Sequence, residues 1–209
     1  MRIAVLDDYQ AVAHAMADWT SLADCSVEFL HAPLQDVDAL AERLRDVDAI
    51  VAMRERTKFP AAVFARLPRL RLLVTTGMIN RSIDLQAAAE RGVRVCGTPW
   101  AEDATVEVTW GHVLALAHRI PREDAAMRAG GWQTALGRSL HGRTLGLLGL
   151  GTIGSKVARI AQAFGMQVIA HSPNLTPERA AAAGARCVDK AELFRAADVL
   201  SIHLILGPT

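Results

Sequence analysis

The sequence predicts an α/β fold in two successive units, each a parallel sheet layered between helices. Three observations carry this. Apolar runs of strand length recur from the second residue, helical patterns separate them, and a glycine-spaced turn opens a second alternation after residue 143.

The apolar runs of the first half are 2 to 6 (RIAVL), 26 to 30 (SVEFL), 48 to 52 (DAIVA), 71 to 75 (RLLVT) and 93 to 96 (VRVC). Continuous rather than alternating apolar strands are those buried on both faces of a parallel sheet. Between them helical patterns fall at 11 to 18, 36 to 45, 60 to 66 and 84 to 90. A long helix follows Pro99, with Val106, Trp110, Val113, Leu114 and Ala117 on one stripe, and should end before Pro121. It reads as an interdomain helix at about 101–119, with Trp110 in a core. A loop-like stretch holds Gly130, Gly131 and Trp132. The second series then runs strand 143 to 148, helix 152 to 164, strand 167 to 171, helix 176 to 183, a short strand at 186 to 188 and strand 198 to 203. The expected domains are 1–99 and 100–209, with no internal repeat.

Composition bounds the function. With 51% hydrophobic residues in a 209-residue chain, a sizeable core is available. The 23 basic and 22 acidic side chains leave a formal charge of +1, which recommends neither nucleic acid nor a membrane surface and leaves a small molecule as the expected ligand. Cys25, Cys96 and Cys187 are odd in number and widely spaced, against both disulfides and a metal site. The opening MRIAVLDDYQ has no signal-peptide pattern. A cytoplasmic protein is expected.

Chemistry enters at Gly149-Leu150-Gly151-Thr152-Ile153-Gly154, a G-x-G-x-x-G that follows a strand and opens a helix. In that frame Gly149 makes the tight turn, Gly151 lets backbone approach a pyrophosphate, and Gly154 lets helix press on strand. The helix start at Thr152 and Ile153 adds unpaired N–H groups and the positive end of the helix dipole. Ordinary turn glycines are the competing explanation, and three in this frame after a strand favour a dinucleotide.

The ribose end departs from the common pattern. About 20 residues after the turn, where an acid usually holds the adenosine ribose, the sequence reads His171-Ser172-Pro173-Asn174. No carboxylate repels a 2′-phosphate here, Ser172 and Asn174 can donate hydrogen bonds, and His171 or Arg179 can add charge. The cofactor is therefore NAD(P), with a lean to NADP. Ser172 and Asn174 bonding only their own turn is the alternative.

Together with Ala52-Met53-Arg54-Glu55-Arg56-Thr57, the loop Thr76-Gly77-Met78-Ile79-Asn80-Arg81-Ser82-Ile83-Asp84, Ala104-Thr105-Val106-Glu107, Gly131-Trp132-Gln133 and Ser201-Ile202-His203-Leu204, the glycine turn resembles the D-isomer-specific 2-hydroxyacid dehydrogenase family over essentially the whole chain. That family includes phosphoglycerate dehydrogenase, glyoxylate and hydroxypyruvate reductases and formate dehydrogenase. The resemblance implies a flavodoxin-like substrate domain followed by a Rossmann domain, a substrate cleft between them and a homodimer. It implies that Arg54 and the turn at Gly77, through the N–H groups of Met78 and Ile79, receive a substrate carboxylate, and that Thr105 and His203 lie on the cofactor side. Read by spacing alone, Gly77 is equally a turn glycine and Arg54 a solvated strand-end residue. Met78-Ile79-Asn80-Arg81 stand where the family commonly has small residues, which leaves the substrate's identity open.

The family's catalytic arginine, glutamate and histidine follow the fourth Rossmann strand, and the resemblance puts all three beyond Thr209. The Rossmann unit is thus expected to be incomplete, with about 100 residues of a second half absent. His203 reads as a packed or cofactor-side histidine, and His112 and His118 as contacts of the long helix. The leading function is interconversion of a D-2-hydroxy acid and a 2-oxo acid. The alternatives are a dinucleotide-sensing binding protein and an inactive fragment.

Overall fold

The computed structural model describes residues 1–34, 36–99 and 101–204. The terminal residues 205–209, including the Leu206-Gly207-Pro208-Thr209 on which the expectation of an interrupted unit rests, lie outside the described residues. The chain divides into two compact units, 1–100 and 101–209.

The first unit is a five-stranded, all-parallel sheet: β1 (Arg2–Val5), β2 (Ser26–Phe29), β3 (Ala49–Ala52), β4 (Leu72–Thr75) and β5 (Arg94–Gly97). Its order is β2-β1-β3-β4-β5, the flavodoxin-like sequence of strands. The helices are α1 (Val37–Leu44), α2 (Ala61–Phe64) and α3 (Leu85–Glu90). Asp36 and Asp84 cap α1 and α3, accepting from the N–H groups of Ala39 and Ala87. Ile50, Leu73, Leu40, Leu44, Phe59 and Phe64 form the core.

The helix expected at 11 to 18 is absent. Two short 3₁₀ turns replace it, at Ala13–Ala15 and Trp19–Ser21. Neither turn contains a buried residue, so no apolar face exists to stabilise a full helix. Asp8 instead accepts from the N–H groups of Val12 and Ala13.

The second unit opens with α4 (Glu102–Ala117) and α5 (Ile120–Arg128), followed by β6 (Thr144–Leu148), α6 (Thr152–Ala163), β7 (Gln167–His171), α7 (Pro177–Ala182), β8 (Arg186–Cys187), α8 (Lys190–Ala196) and β9 (Val199–Ile202). Its parallel sheet has the order β8-β7-β6-β9, the Rossmann order counted from β6. Val106, Trp110 and Val113 of α4 pack with Leu145, Leu147, Val157 and Ala161 on one face, and Trp110 stacks on Phe164 at 4.9 Å. Ile169, Val188 and Leu193 form a smaller cluster that includes α8.

Two elements correct the sequence reading. The stretch after the long helix is not loop-like at its start. Arg119 breaks α4 with a left-handed φ of 56°, and Pro121 then occupies the first turn of α5, where a missing N–H costs nothing. No residue of α5 is buried, so it left no apolar stripe to read. Helix α8 escaped the reading although Asp189 and Glu192 stand at capping-box spacing, and Asp189 accepts from Glu192 N–H at 2.7 Å. Among the described residues no helix is long and apolar enough to cross a membrane.

Candidate functional site

In the second unit the strand order reverses between β6 and β9, and the crevice outside the carboxyl ends of such strands is where open α/β sheets take ligands. The glycine turn leaves β6 there and His203 follows β9. Gly149 adopts φ +104°, and a methyl on it would meet the carbonyl group of His203. Glycine is required on both counts. Gly149 N–H donates to the carbonyl of His171 at 2.8 Å, which joins the turn to the end of β7. A methyl on Gly154 would run into the carbonyl oxygen of Gly149, so α6 presses on the turn without a side chain between them. Gly151 differs: a methyl there meets nothing within 4 Å. No side chain caps α6, whose exposed first residues are Gly151 and Thr152, with Ile153 half-buried. An uncapped helix start beside open backbone is a receptor for an anion, so the residues fit a dinucleotide's pyrophosphate.

At the tip of β7, Ser172 Oγ accepts from Leu150 N–H at 3.3 Å, and Ser172 carbonyl accepts from Leu175 N–H at 3.1 Å. The hydroxyl is thus bonded to the glycine turn rather than to its own turn around Pro173. The His171 ring faces the other way, with Nδ1 at 3.0 Å from the carbonyl of Val188. Arg179 Nη1 donates to the carbonyl of Asn174 at 3.0 Å, which brings its exposed guanidinium to the same turn. The His203 ring is half-buried, with Nε2 at 2.9 Å from Ser201 Oγ, and burial holds its pKa below the usual histidine value. Thr105 is exposed on α4, and its carbonyl accepts from the Thr109 hydroxyl. Lys156 of α6 pairs with Asp103 at 2.7 Å and Glu102 at 3.1 Å, fastening the start of α4 to α6. Those two carboxylates, Asp103 first, raise the lysine's pKa.

In the first unit the structure brings Arg54 and Gly77 together. Arg54 has a left-handed φ of 53°, and its N–H donates to Thr76 Oγ1 at 3.0 Å. Gly77 adopts φ +104°, a conformation that favours glycine, and the Arg54 guanidinium lies over it. Gly77 N–H donates to Thr98 Oγ1 at 3.1 Å. Met78 and Ile79 are exposed, and no described residue accepts from their backbone N–H groups.

Sequence reasoning missed Thr76, Thr98 and Asn80, whose side chains hold this turn. It carried Thr76 and Asn80 within the loop that bears the resemblance, and Asn80 also as a departure from small residues, but no spacing signal pointed to their bonds. Asn80 is buried, donating to Arg54 carbonyl and to Thr75 Oγ1.

Comparison with known proteins agrees with this geometry. Residues 110–209 match the sequence model of the D-isomer specific 2-hydroxyacid dehydrogenase, NAD binding domain. The chain is 36% identical over 175 residues to a D-3-phosphoglycerate dehydrogenase of Methanocaldococcus jannaschii, a match over 82% of this chain and 33% of that protein. It is 35% identical over 179 residues to a glyoxylate reductase of Aeropyrum pernix, over 81% of this chain and 53% of that protein. It therefore spans between a third and about half the length of these curated relatives. The crystal structure of a phosphoglycerate oxidoreductase from Vibrio cholerae superposes with a TM-score of 0.91 at 36% identity, covering 99% of this chain and 67% of that one. On sequence and structure together, the chain belongs to the D-isomer-specific 2-hydroxyacid dehydrogenase family.

Proposed function

We propose that the protein is an oxidoreductase that interconverts a D-2-hydroxy acid and a 2-oxo acid with NAD(P). The observation that carries this is the junction of Gly149, Gly154 and His203 at the strand-order reversal, beside the uncapped start of α6. A bound nicotinamide would supply or take the hydride. Gly151 and the N–H groups of Thr152 and Ile153 would hold its pyrophosphate, with Thr105 and His203 flanking the dinucleotide. In the first unit Arg54 and, at the turn made by Gly77, the N–H groups of Met78 and Ile79 would orient the carboxylate of the acid. Proton donation to the developing alkoxide is assigned to no residue of this chain.

The finer reading of the cofactor is NADP. Ser172 bonds Leu150 as an acceptor and keeps its own proton to donate, and the Arg179 guanidinium stands at the same turn. His171 contributes less than its position suggests, because Nδ1 faces Val188. A homodimer in the cytoplasm completes the proposal. Supporting the dimer, Leu116, Trp132 and Leu136 are 78%, 72% and 90% exposed on the second unit.

The test is turnover: oxidation of NADPH and of NADH by the purified protein across a panel of short 2-oxo acids. Saturable turnover with one of them supports the enzyme. Tight cofactor binding with no turnover across the panel would replace it with a dinucleotide-sensing binding protein.

A further inference from the structure

The Arg54 peptide is held at both ends by the loop that follows β4. Its N–H donates to Thr76 Oγ1 at 3.0 Å, and its carbonyl accepts from Asn80 Nδ2 at 2.5 Å. Asn80 Nδ2 also donates to Thr75 Oγ1 at 2.9 Å, and Oδ1 accepts from Ser82 N–H at 2.9 Å. The amide thus spends both donor hydrogens and its acceptor inside the protein while only 9% exposed. A left-handed φ at a non-glycine residue persists only where the surroundings over-determine it, and Arg54 has such a φ. That backbone turn sends the guanidinium over Gly77, which is followed by Met78 and Ile79, whose N–H groups no described residue accepts.

We propose that Asn80 is a positioning residue: by locking the Arg54 carbonyl to the Gly77 loop, it makes the guanidinium and the loop N–H groups converge on one carboxylate. This rests on the substrate reading above. Asn80 itself touches no substrate and acts through Arg54.

The experiment is steady-state kinetics of the whole protein carrying Arg54→Ala, Asn80→Asp, Asn80→Ser, or Arg54→Ala with Asn80→Asp, each checked for folding by circular dichroism. Aspartate keeps the acceptor for Ser82, can accept from the Thr75 hydroxyl in place of donating to it, and turns an oxygen onto the Arg54 carbonyl, so the Arg54 link is the one it cannot remake. Asn80→Ser, uncharged and too short to reach, carries the same reading should the aspartate variant fail to fold. Each Asn80 variant is expected to raise the KM for the 2-oxo acid about tenfold, with kcat and the KM for the cofactor nearly unchanged. In the Arg54→Ala background, Asn80→Asp is expected to add less than about twofold, as for two residues acting through one contact. Folded Asn80 variants with unchanged KM, or effects that multiply with that of Arg54→Ala, overturn the inference while leaving the substrate reading intact. An Arg54→Ala variant with unchanged KM overturns that reading, and the inference with it.

Discussion

Ser172 Oγ receives the backbone N–H of Leu150 at 3.3 Å, so a side chain at the tip of β7 secures the middle of the glycine turn leaving β6. The two strands run side by side in register, with Leu148 opposite His171. The residue at position 172 therefore acts on the turn and, in the proposed reading, would act on the ribose end of a dinucleotide as well.

Replacing Ser172 with Asp separates these roles. A carboxylate still accepts from Leu150 but repels a 2′-phosphate. The dissociation constant for NADPH is expected to rise at least about tenfold, equivalent to about 1.4 kcal/mol, while that for NADH falls. Fluorescence titration of both cofactors measures it, and an unchanged ratio would remove Ser172 from cofactor selection.

Gly151 and Gly154 should respond differently to the same methyl. Gly154→Ala forces the methyl onto the Gly149 carbonyl, and overpacking of this kind costs about 1 to 3 kcal/mol. Gly151→Ala adds its methyl to open space at an ordinary extended backbone, so Tm should hold. Its cofactor affinity should nonetheless fall about tenfold or more, because backbone can no longer close on the pyrophosphate. Thermal melts with and without cofactor distinguish the pair; a Gly151→Ala protein that binds normally would refute this use of the turn.

The half-buried His203 predicts an acid-sensitive contribution to stability. Its folded pKa is lowered by burial, so below the ordinary value of about 6.5 the unfolded chain takes up a proton that the folded chain refuses. Stability is thus retained above that pH and declines as pH falls towards the lowered folded pKa. In Tm profiles between about pH 5 and 7, His203→Gln should show a shallower decline than the unaltered protein. Parallel profiles would mean that the acid sensitivity has another source.

Leu116 and Leu136 test the assembly. The carbonyl of Ala117 accepts from Arg138 N–H at 2.8 Å, which brings the end of α4 beside the segment carrying Leu136. Glutamate at both positions would introduce like charges into the proposed dimer interface. Light scattering of the Leu116→Glu, Leu136→Glu protein should give half the mass of the parent. An unchanged mass would place the contact elsewhere or exclude a dimer.

The strands of the described residues were legible in the sequence, most plainly β1, β3, β6 and β7, whose short apolar runs are mostly buried inside their parallel sheets. The glycine turn was legible because three backbone constraints fall at fixed spacing within six residues. Helices without a buried face were not. The segment at 11 to 18 has helix-like spacing yet nothing to pack against, while α5 is a helix whose residues are all left unburied.

Local chemistry alone thus determined the strands, the glycine turn and, through resemblance, the family. Tertiary structure decided which groups meet: Ser172 with Leu150, His203 with Gly149, and Asn80 with the Arg54 carbonyl 26 residues away. Such pairings depend on which strand ends become neighbours in the sheet and on how each loop leaves its strand, and those are properties of the packed chain that no spacing along the sequence encodes.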